Sequence, residues 1–255
     1  MPGHSTWLTF LLAALKDNLS SRAELLGQTV IDGHAPTWMS FEPLAAALFI
    51  AVVVLILAFL ARRRLANVDA TVIPDDHLTL RTFMEIFLGY FYDLAKNMMG
   101  AERAKKYFPV IGASAIFVFF SNICALLPGM PVATSSLNIT LGCALVVFIV
   151  FNTYGLMVNG WGYIKHLAGP AWYLAWLILP IEIISLCVRP VTLAVRLMLN
   201  LSVDHLILGT FTGLVALVVP LPLMALGCLV VLIQTLVFTL LTTVYISLAT
   251  EHEHH

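Results

Sequence analysis

The sequence predicts an all-α polytopic membrane protein with about five to six membrane helices, and three observations support that fold class. Hydrophobic residues make up 60% of the 255 residues and charged residues only 11%, a composition outside that of soluble globular domains. The apolar residues form runs close to the roughly 20 residues that cross a hydrocarbon core. The last two runs are longer than an upright span requires, and they predict a long, strongly inclined hairpin.

Charge and cysteine content narrow the classes of function. The net charge of -1 and the lack of a clustered basic stripe argue against a nucleic-acid partner. The four cysteines show none of the paired spacings of a metal site or redox motif, and we interpret them as packing residues: Cys124, Cys143, Cys187 and Cys228. We predict no nucleic-acid binding, no metal site and no cofactor.

The first predicted span covers residues 44–61, about 18 uncharged residues that are followed at once by three arginines at 62–64. The positive-inside rule places these arginines in the cytoplasm. Residues 1–40 are then expected to form a non-cytoplasmic segment, and residues 41–255 a single membrane domain. The apolar run at 7–15 follows no basic region and ends at no small-residue cleavage pattern, so we expect no signal peptide.

A cytoplasmic segment at about 62–106 is predicted to hold most of the charge and one amphipathic helix. Within residues 78–99, charged side chains alternate with apolar residues at helical spacing, namely Leu80, Phe83, Met84, Phe87, Leu88, Phe91 and Leu94. That pattern is typical of a helix that lies on a membrane or on a neighbouring protein. Packing against the inner rim of the same protein is an equally good alternative.

Two further spans are predicted at residues 107–127 and 139–158. An uncharged loop that contains the prolines and glycine of residues 128–131 joins them and is expected to lie outside. Lys165 and His166 follow the third span and return the chain to the cytoplasmic side by the positive-inside rule.

The remaining apolar sequence forms two segments that are longer than a membrane is thick. Residues 171–219 amount to roughly 70 Å of helix and residues 223–250 to roughly 40 Å, whereas a hydrocarbon core measures about 30 Å. A Pro-Leu-Pro turn at 220–222 joins them. We predict an inclined hairpin whose first helix has candidate breaks near Pro180 and Pro190.

Arg196 is a permanent charge inside the first of these segments. A charge at bilayer depth costs roughly 2.5 to 3.5 kcal/mol on insertion scales, so it indicates an ion pathway, a counter-ion or a binding site. An arginine cannot avoid that cost by losing its proton. The alternative is a structural ion pair with Glu182 or Asp204, but neither carboxylate lies at helical neighbour spacing from the arginine.

The polar residues of this segment share one helix face. At 100° per residue, six of them lie within about 40° of one line: Glu182, Ser185, Arg189, Thr192, Arg196 and Asn200. Asp204 and His205 point about 80° and about 180° away from Arg196, so we expect them to serve a different compartment.

Two amide side chains in other apolar segments, those of Gln234 and Asn122, are further candidates for the site. Gln234 shares a face of the second hairpin helix with Gly227, and a glycine there allows close approach of a facing helix. We expect Gln234 to form a hydrogen bond across the hairpin with Arg196 or Asn200, generic helix association being the alternative. Asn122, in the second span, either has that same associating role or lines an aqueous path.

Several motifs carry a resemblance to a known family. The longest reads Pro190-Val191-Thr192-Leu193-Ala194-Val195-Arg196-Leu197-Met198-Leu199-Asn200. Around it stand Ile181-Glu182, Gln234 and Tyr245-Ile246-Ser247-Leu248-Ala249. The second span adds Tyr107-Phe108-Pro109, Phe119-Phe120-Ser121-Asn122 and Leu127-Pro128-Gly129. Together they closely resemble subunit a of bacterial F-type ATP synthase, over most of the chain from about residue 40.

The resemblance implies a proton-translocating stator. In that family subunit a lies against a rotating ring of c subunits and offers protons two half-channels, which the hairpin at about 171–250 would carry here. Arg196 matches the essential arginine, which attracts a ring carboxylate after that group releases its proton and blocks leakage between the half-channels. The implied partners are the c-ring, the b-subunit peripheral stalk, the remaining ATP synthase subunits and the lipid bilayer.

The resemblance also implies a non-catalytic subunit of the bacterial inner membrane. The chain contains no Gly-rich phosphate loop of the Walker type, so nucleotide chemistry is expected in other subunits. The N-terminus is expected outside the cytoplasm and the C-terminus inside it.

The family pattern extends to the residues of the proton pathway. The predicted proton-translocating residues are Arg196, Asn200, His205, Glu182, Gln234, Thr192, Asp204, Ser185 and Asn122. His205 falls where the family usually has a glutamate or histidine, and an imidazole exchanges protons near neutral pH. Gly227 falls where many bacterial members have a histidine, so the two positions look like an exchange that keeps one titratable group. The role of Asp204 is left open.

Two other classes of function are carried as alternatives. A secondary transporter or ion channel would use Arg196 as a substrate or counter-ion site, but the first three spans contain no second arginine in a matching position. A membrane-embedded enzyme would use Asp204 and His205 as an acid-base pair, although adjacent helical residues point about 100° apart. The histidines of the polar tail at 251–255 fit a metal, a solvated terminus being the favoured interpretation.

Overall fold

The computed structural model describes residues 42–65, 79–126, 136–160, 172–214 and 220–250 of the chain. In these ranges the backbone forms six α-helices and no strand: α1 Glu42–Leu65, α2 Leu80–Met99, α3 Ala101–Leu126, α4 Leu137–Asn159, α5 Trp172–Leu214 and α6 Pro220–Ala249. All of these except α2 contain a stretch long and apolar enough to cross a membrane. The predicted all-α polytopic fold is confirmed.

Several predictions fall on parts of the chain outside the described residues. They concern the non-cytoplasmic segment at 1–40, the loop at 128–131, the turn at 165–166 and the histidine tail at 251–255. The predicted spans at 44–61, 107–127 and 139–158 correspond to α1, α3 and α4, which begin or end a few residues from the expected positions.

The amphipathic segment forms α2 and packs against its own protein. Its N-terminal Thr79 caps the helix, since its hydroxyl accepts a hydrogen bond from the Thr82 N–H at 3.4 Å. One face, with Met84, Phe91 and Ala95, is buried where α2 packs on α3 and α6. Gly100, at φ 83°, ends the helix in a backbone region that favours glycine. Packing on the same chain accounts for the buried part of α2, whereas Phe83, Ile86 and Tyr90 of this helix are exposed, and a membrane or neighbour contact there stays a prediction.

The core lies where α3 packs on α6 and α4 packs on α5, the two most extensive helix pairs of the described structure. Tyr107, Val147, Leu197 and Phe238, one from each of these four helices, are buried in one cluster. Helices in lipid associate through close packing and hydroxyl or small side chains. On α6 four buried threonines each donate a hydrogen bond to the carbonyl four residues earlier: Thr235, Thr239, Thr242 and Thr243.

The hairpin differs from its prediction in two places. Helix α5 runs for 43 residues with Pro180 and Pro190 inside it, so the break proposed at these prolines is wrong. Prolines are tolerated inside membrane helices because neighbouring groups satisfy the freed carbonyls. Helix α6 begins at Pro220, so the Pro-Leu-Pro sequence opens the helix and is not a turn outside it; proline suits a first helical turn, whose N–H groups have no intrahelical partner.

Candidate functional site

Arg196 lies on the face of α5 that points away from the protein core. Its neighbours Leu193, Ala194 and Leu197 are buried, whereas Arg196 itself is exposed. Within the described residues no ion pair or hydrogen bond is formed by its guanidinium. The structure therefore presents a positive charge at an apolar surface with no compensating group from the same described part of the chain.

Glu182 pairs with a different arginine. Its Oε1 lies 3.7 Å from Nη2 of Arg189, two helical turns further along α5. The Arg189 guanidinium also lies over the ring of Tyr245 on α6, 5.3 Å from its centroid, and that ring lies 5.8 Å from the ring of Phe151 on α4. Arg189 thus connects three helices, and Glu182 is not available as the structural partner considered for Arg196.

Sequence reasoning missed this cluster around Arg189. The helical pattern puts Arg189 on the polar face of α5, but the pattern of one helix does not predict which side chains of a facing helix it contacts. The available signal was an aromatic residue, Tyr245, on the facing helix, since a guanidinium stacks well over a tyrosine ring.

An amide pair joins α5 to α6. Asn200 Nδ2 donates a hydrogen bond to Gln234 Oε1 at 2.9 Å, so the hydrogen bond predicted across the hairpin is present, and its partner is Asn200. Gln234 is 4% exposed, and its Nε2 is buried without a hydrogen-bond partner. Leaving such a donor unsatisfied costs about 1–3 kcal/mol, which favours a water or an incoming polar group at that point.

Two cavities lie beside this part of α5, and Asp204 lines both. The first, which we call the Asn122 cavity, lies between α3, α5 and α6, measures about 50 Å³, and has Asn122, Asp204, His205 and Gly227 among its lining residues. A water needs roughly 10–15 Å³ measured in this way, so the Asn122 cavity has room for water. Asn122 is buried at its wall, and both interpretations of this residue, helix association and an aqueous lining, stay predictions.

The second cavity, which we call the Gln234 cavity, opens between α5 and α6. It measures about 350 Å³, and its polar lining residues are Asn200, Asp204 and Gln234. Gln234 and its hydrogen-bond partner Asn200 thus both line a space large enough for water.

The space beside Gly227 is occupied by a side chain of the neighbouring helix α3. A Cβ built on Gly227 would lie 2.6 Å from Cδ1 of Leu126, a distance that real Cβ atoms essentially never show. Leu126, near the end of α3, thus occupies the space that a side chain at position 227 would need. His205 is the one imidazole among the residues that line the Asn122 cavity.

Two predicted residues remain apart from these contacts. The Thr192 hydroxyl donates to the carbonyls of Val188 and Arg189 at 3.0 and 2.9 Å and lies on an exposed part of α5. Ser185 is half-buried one turn from Glu182. Both lie on the polar face, but neither lines the two cavities described above.

Fold and site together define a polytopic helical membrane protein with an exposed arginine on α5, one turn from Asn200, which lines a cavity between α5 and α6. Residues 44–247 match the family described as ATP synthase A chain. The chain is 55% identical to ATP synthase subunit a of Sorangium cellulosum over 255 residues, which cover 100% of both chains. It is 42% identical to ATP synthase subunit a 1 of Syntrophotalea carbinolica over 197 residues, 77% of this chain and 80% of the relative. The chain belongs to the ATP synthase subunit a family.

Proposed function

We propose that this chain is the proton-translocating stator subunit of an F-type ATP synthase, with two half-channels and with Arg196 facing a ring of c subunits. The observation that carries the proposal is Arg196, exposed on α5 and without a partner in the described residues. A guanidinium in a bilayer requires compensation. A carboxylate that arrives from a second subunit supplies it, and family membership points to the ring as its source.

In this mechanism Arg196 acts through a charge that it cannot lose. It attracts a ring carboxylate that has released its proton, and the pair separates when the next proton neutralises that carboxylate. Because the guanidinium does not become neutral, it does not relay protons and stands as a barrier between the two half-channels. A membrane potential supplies about 2.3 kcal/mol per proton per 100 mV, so several protons are needed for each ATP.

Helix direction assigns each end of the pathway to one side of the membrane. Helix α3 begins beside Arg103, Lys105 and Lys106, a cytoplasmic end by the positive-inside rule. Asn122, near the opposite end of α3, then belongs to the outer side, as does the Asn122 cavity. On α5, Glu182 lies on the cytoplasmic side of Arg196 and His205 on the outer side. We assign the outer half-channel to the Asn122 cavity and the inner one to the Glu182 end of the polar face.

The end of α6 supports the proposed orientation of the C-terminus. Asn159, at the end of α4, donates a hydrogen bond to the Ala249 carbonyl at the end of α6, 3.2 Å away. The two helices therefore end on the same side, which the basic residues at 165–166 mark as cytoplasmic. The N-terminal segment 1–40 then lies outside, in a bacterial inner membrane.

The proposed partners are the c-ring at Arg196, a peripheral b-subunit stalk and the remaining ATP synthase subunits. The subunit itself is non-catalytic in this proposal, because proton passage needs positioned polar groups and water, while nucleotide chemistry needs a phosphate-binding site of a kind that the sequence lacks.

Replacing the arginine tests the proposal. Arg196→Ala is expected to leave the complex assembled and to abolish proton-driven ATP synthesis, since the ring carboxylate loses its counter-charge. Synthesis is measured in inverted vesicles, and assembly by co-purification with a small two-helix proteolipid that carries a buried carboxylate. The control is Ile184→Ala, an exposed apolar residue of the same helix about 120° from Arg196. Normal coupled synthesis by the assembled Arg196→Ala complex would contradict the proposal.

A further inference from the structure

Asp204 occupies a position that no other lining residue shares. It lines the Asn122 cavity and also the Gln234 cavity. His205 and Asn122 line only the first, and Asn200 and Gln234 line only the second. Among the described residues that line these two cavities, Asp204 is thus the one that lines both.

The geometry of α5 also places Asp204 between the residues of the two cavities. Measured around α5 from Arg196, Asn200 lies at about 40°, Asp204 at about 80° and His205 at about 180°. Along the axis, Asp204 is about 6 Å beyond Asn200 and about 12 Å beyond Arg196. Asp204 therefore stands between the face that holds the arginine and the face that holds the imidazole, and it is half-buried there.

The chemistry of the two cavities differs. The Asn122 cavity has two titratable residues, Asp204 and His205, while Asn122 and Gly227 from the packed helices α3 and α6 are uncharged. The Gln234 cavity has only Asp204, because its other polar residues, Asn200 and Gln234, are amides. An amide does not take up and release a proton near neutral pH. A proton that passes from the first cavity to the second therefore has one titratable side chain common to both.

The size of the Gln234 cavity, about 350 Å³, gives room for water on the arginine side of Asp204. A water held there offers a proton acceptor on the arginine side of Asp204.

We propose that the Asp204 carboxylate carries protons from the Asn122 cavity to the Gln234 cavity, an inference that rests on the proposed function. A proton delivered from water or from the His205 imidazolium binds a carboxylate oxygen and forms an O–H bond. That bond then breaks toward a water of the Gln234 cavity, which restores the carboxylate and leaves a hydronium on the ring side. No electron is transferred, and the proton is the only species moved.

The rival interpretation is that Asp204 only balances the charge of His205 and takes no part in transfer. The two interpretations differ in what substitution does. A relay requires a titratable group, so Asp204→Asn stops it and Asp204→Glu preserves it. A counter-charge for His205 becomes dispensable once the imidazole is removed, so His205→Gln would restore uptake to the Asp204→Asn variant, whereas a relay at Asp204 stays blocked.

The experiment measures ATP-driven proton uptake by inverted vesicles that contain the whole complex, with each rate normalised to the assembled proteolipid. We expect Asp204→Asn to slow uptake by about tenfold or more and Asp204→Glu to stay within about threefold of the wild type. In a series pathway the double variant with His205→Gln is no slower than the slower single variant. If Asp204→Asn lowers assembly, Asp204→Ser replaces it, with the same expected loss.

Three results would overturn the inference: uptake by Asp204→Asn or Asp204→Ser within about twofold of the wild type, losses that multiply in the double variant, or a double variant with His205→Gln that is clearly faster than Asp204→Asn alone. Arg196→Ala, measured in the same vesicles, separates this inference from the proposed function. If Arg196→Ala abolishes coupling while Asp204→Asn pumps normally, the relay is wrong and the stator function stands. If Arg196→Ala couples normally, the function itself fails.

Discussion

At the scale of single residues, the two arginines on the polar face of α5 have opposite surroundings. Arg189 has a carboxylate, Glu182, at 3.7 Å and the Tyr245 ring below its guanidinium. Arg196, two turns further on, is exposed and has neither. Both charges need compensation in a membrane; Glu182 and Tyr245 provide it for Arg189, whereas no described residue provides it for Arg196.

Replacing the Tyr245 ring tests whether Arg189 holds the hairpin together. Tyr245→Leu is expected to weaken the α5–α6 contact by about 1 kcal/mol, because a cation over an aromatic ring contributes roughly 0.5–2 kcal/mol. Tyr245→Phe is the matched control, since it keeps the ring face and removes only the hydroxyl. The measurement is the temperature at which the detergent-solubilised complex releases this subunit. Equal release temperatures for the Leu and Phe variants would show that the ring contact does not stabilise the hairpin.

At the scale of elements, the continuity of α5 explains why the predicted break at its prolines is wrong and why its polar face was predictable. Pro180 and Pro190 suggested a break because proline disrupts helices in water. The helix continues through both, as membrane helices tolerate proline where neighbouring groups satisfy the freed carbonyls. The polar face was predictable because an unbroken helix keeps a rotation of 100° per residue. Asn200 lies on this face and forms the hydrogen bond to Gln234 of α6.

The contact between α3 and α6 was not predictable from either helix alone. Gly227 indicated a close approach, but the group that fills its space, Leu126, is set by the register of two helices about 100 residues apart in the sequence. The same holds for Asp204, whose place between two cavities depends on how α3, α5 and α6 pack. The helical period predicts which direction each side chain takes around its own helix axis. It does not predict where neighbouring helices leave a cavity between them.

Enlarging Gly227 is expected to disturb this contact. In Gly227→Ala the new methyl group meets Leu126 Cδ1 at 2.6 Å, so Leu126 must move, and overpacking of this kind typically costs about 1–3 kcal/mol. Leu126→Ala removes the obstructing atoms, so the double variant should be more stable than Gly227→Ala alone. The release temperature of the subunit from the solubilised complex measures both. Independent, additive losses in the double variant would show that the two residues do not compete for one space.

At the scale of the whole molecule, the described helices share a packed core, and α1, α5 and α6 each expose large apolar residues. Residues on the α5 face beside Arg196 are exposed, among them Leu199 at 48% and Val203 at 47%. Exposed apolar residues on a membrane helix face lipid or another helix, and composition alone does not choose between these. The proposed role of Arg196 favours a helix of another subunit, because lipid tails offer no counter-charge and no described residue of this chain pairs with it.

The most direct test of the central claim asks whether a ring helix meets this face. Cysteines are placed at Leu199 or Val203 after the four native cysteines are replaced, and each is paired with a cysteine beside the carboxylate of the c proteolipid. A cysteine at Val52, exposed on α1, is the control. The account predicts disulfide cross-links to the proteolipid from positions 199 and 203 and none from position 52. Cross-links from position 52 alone, or none from α5 in an assembled complex, would contradict it.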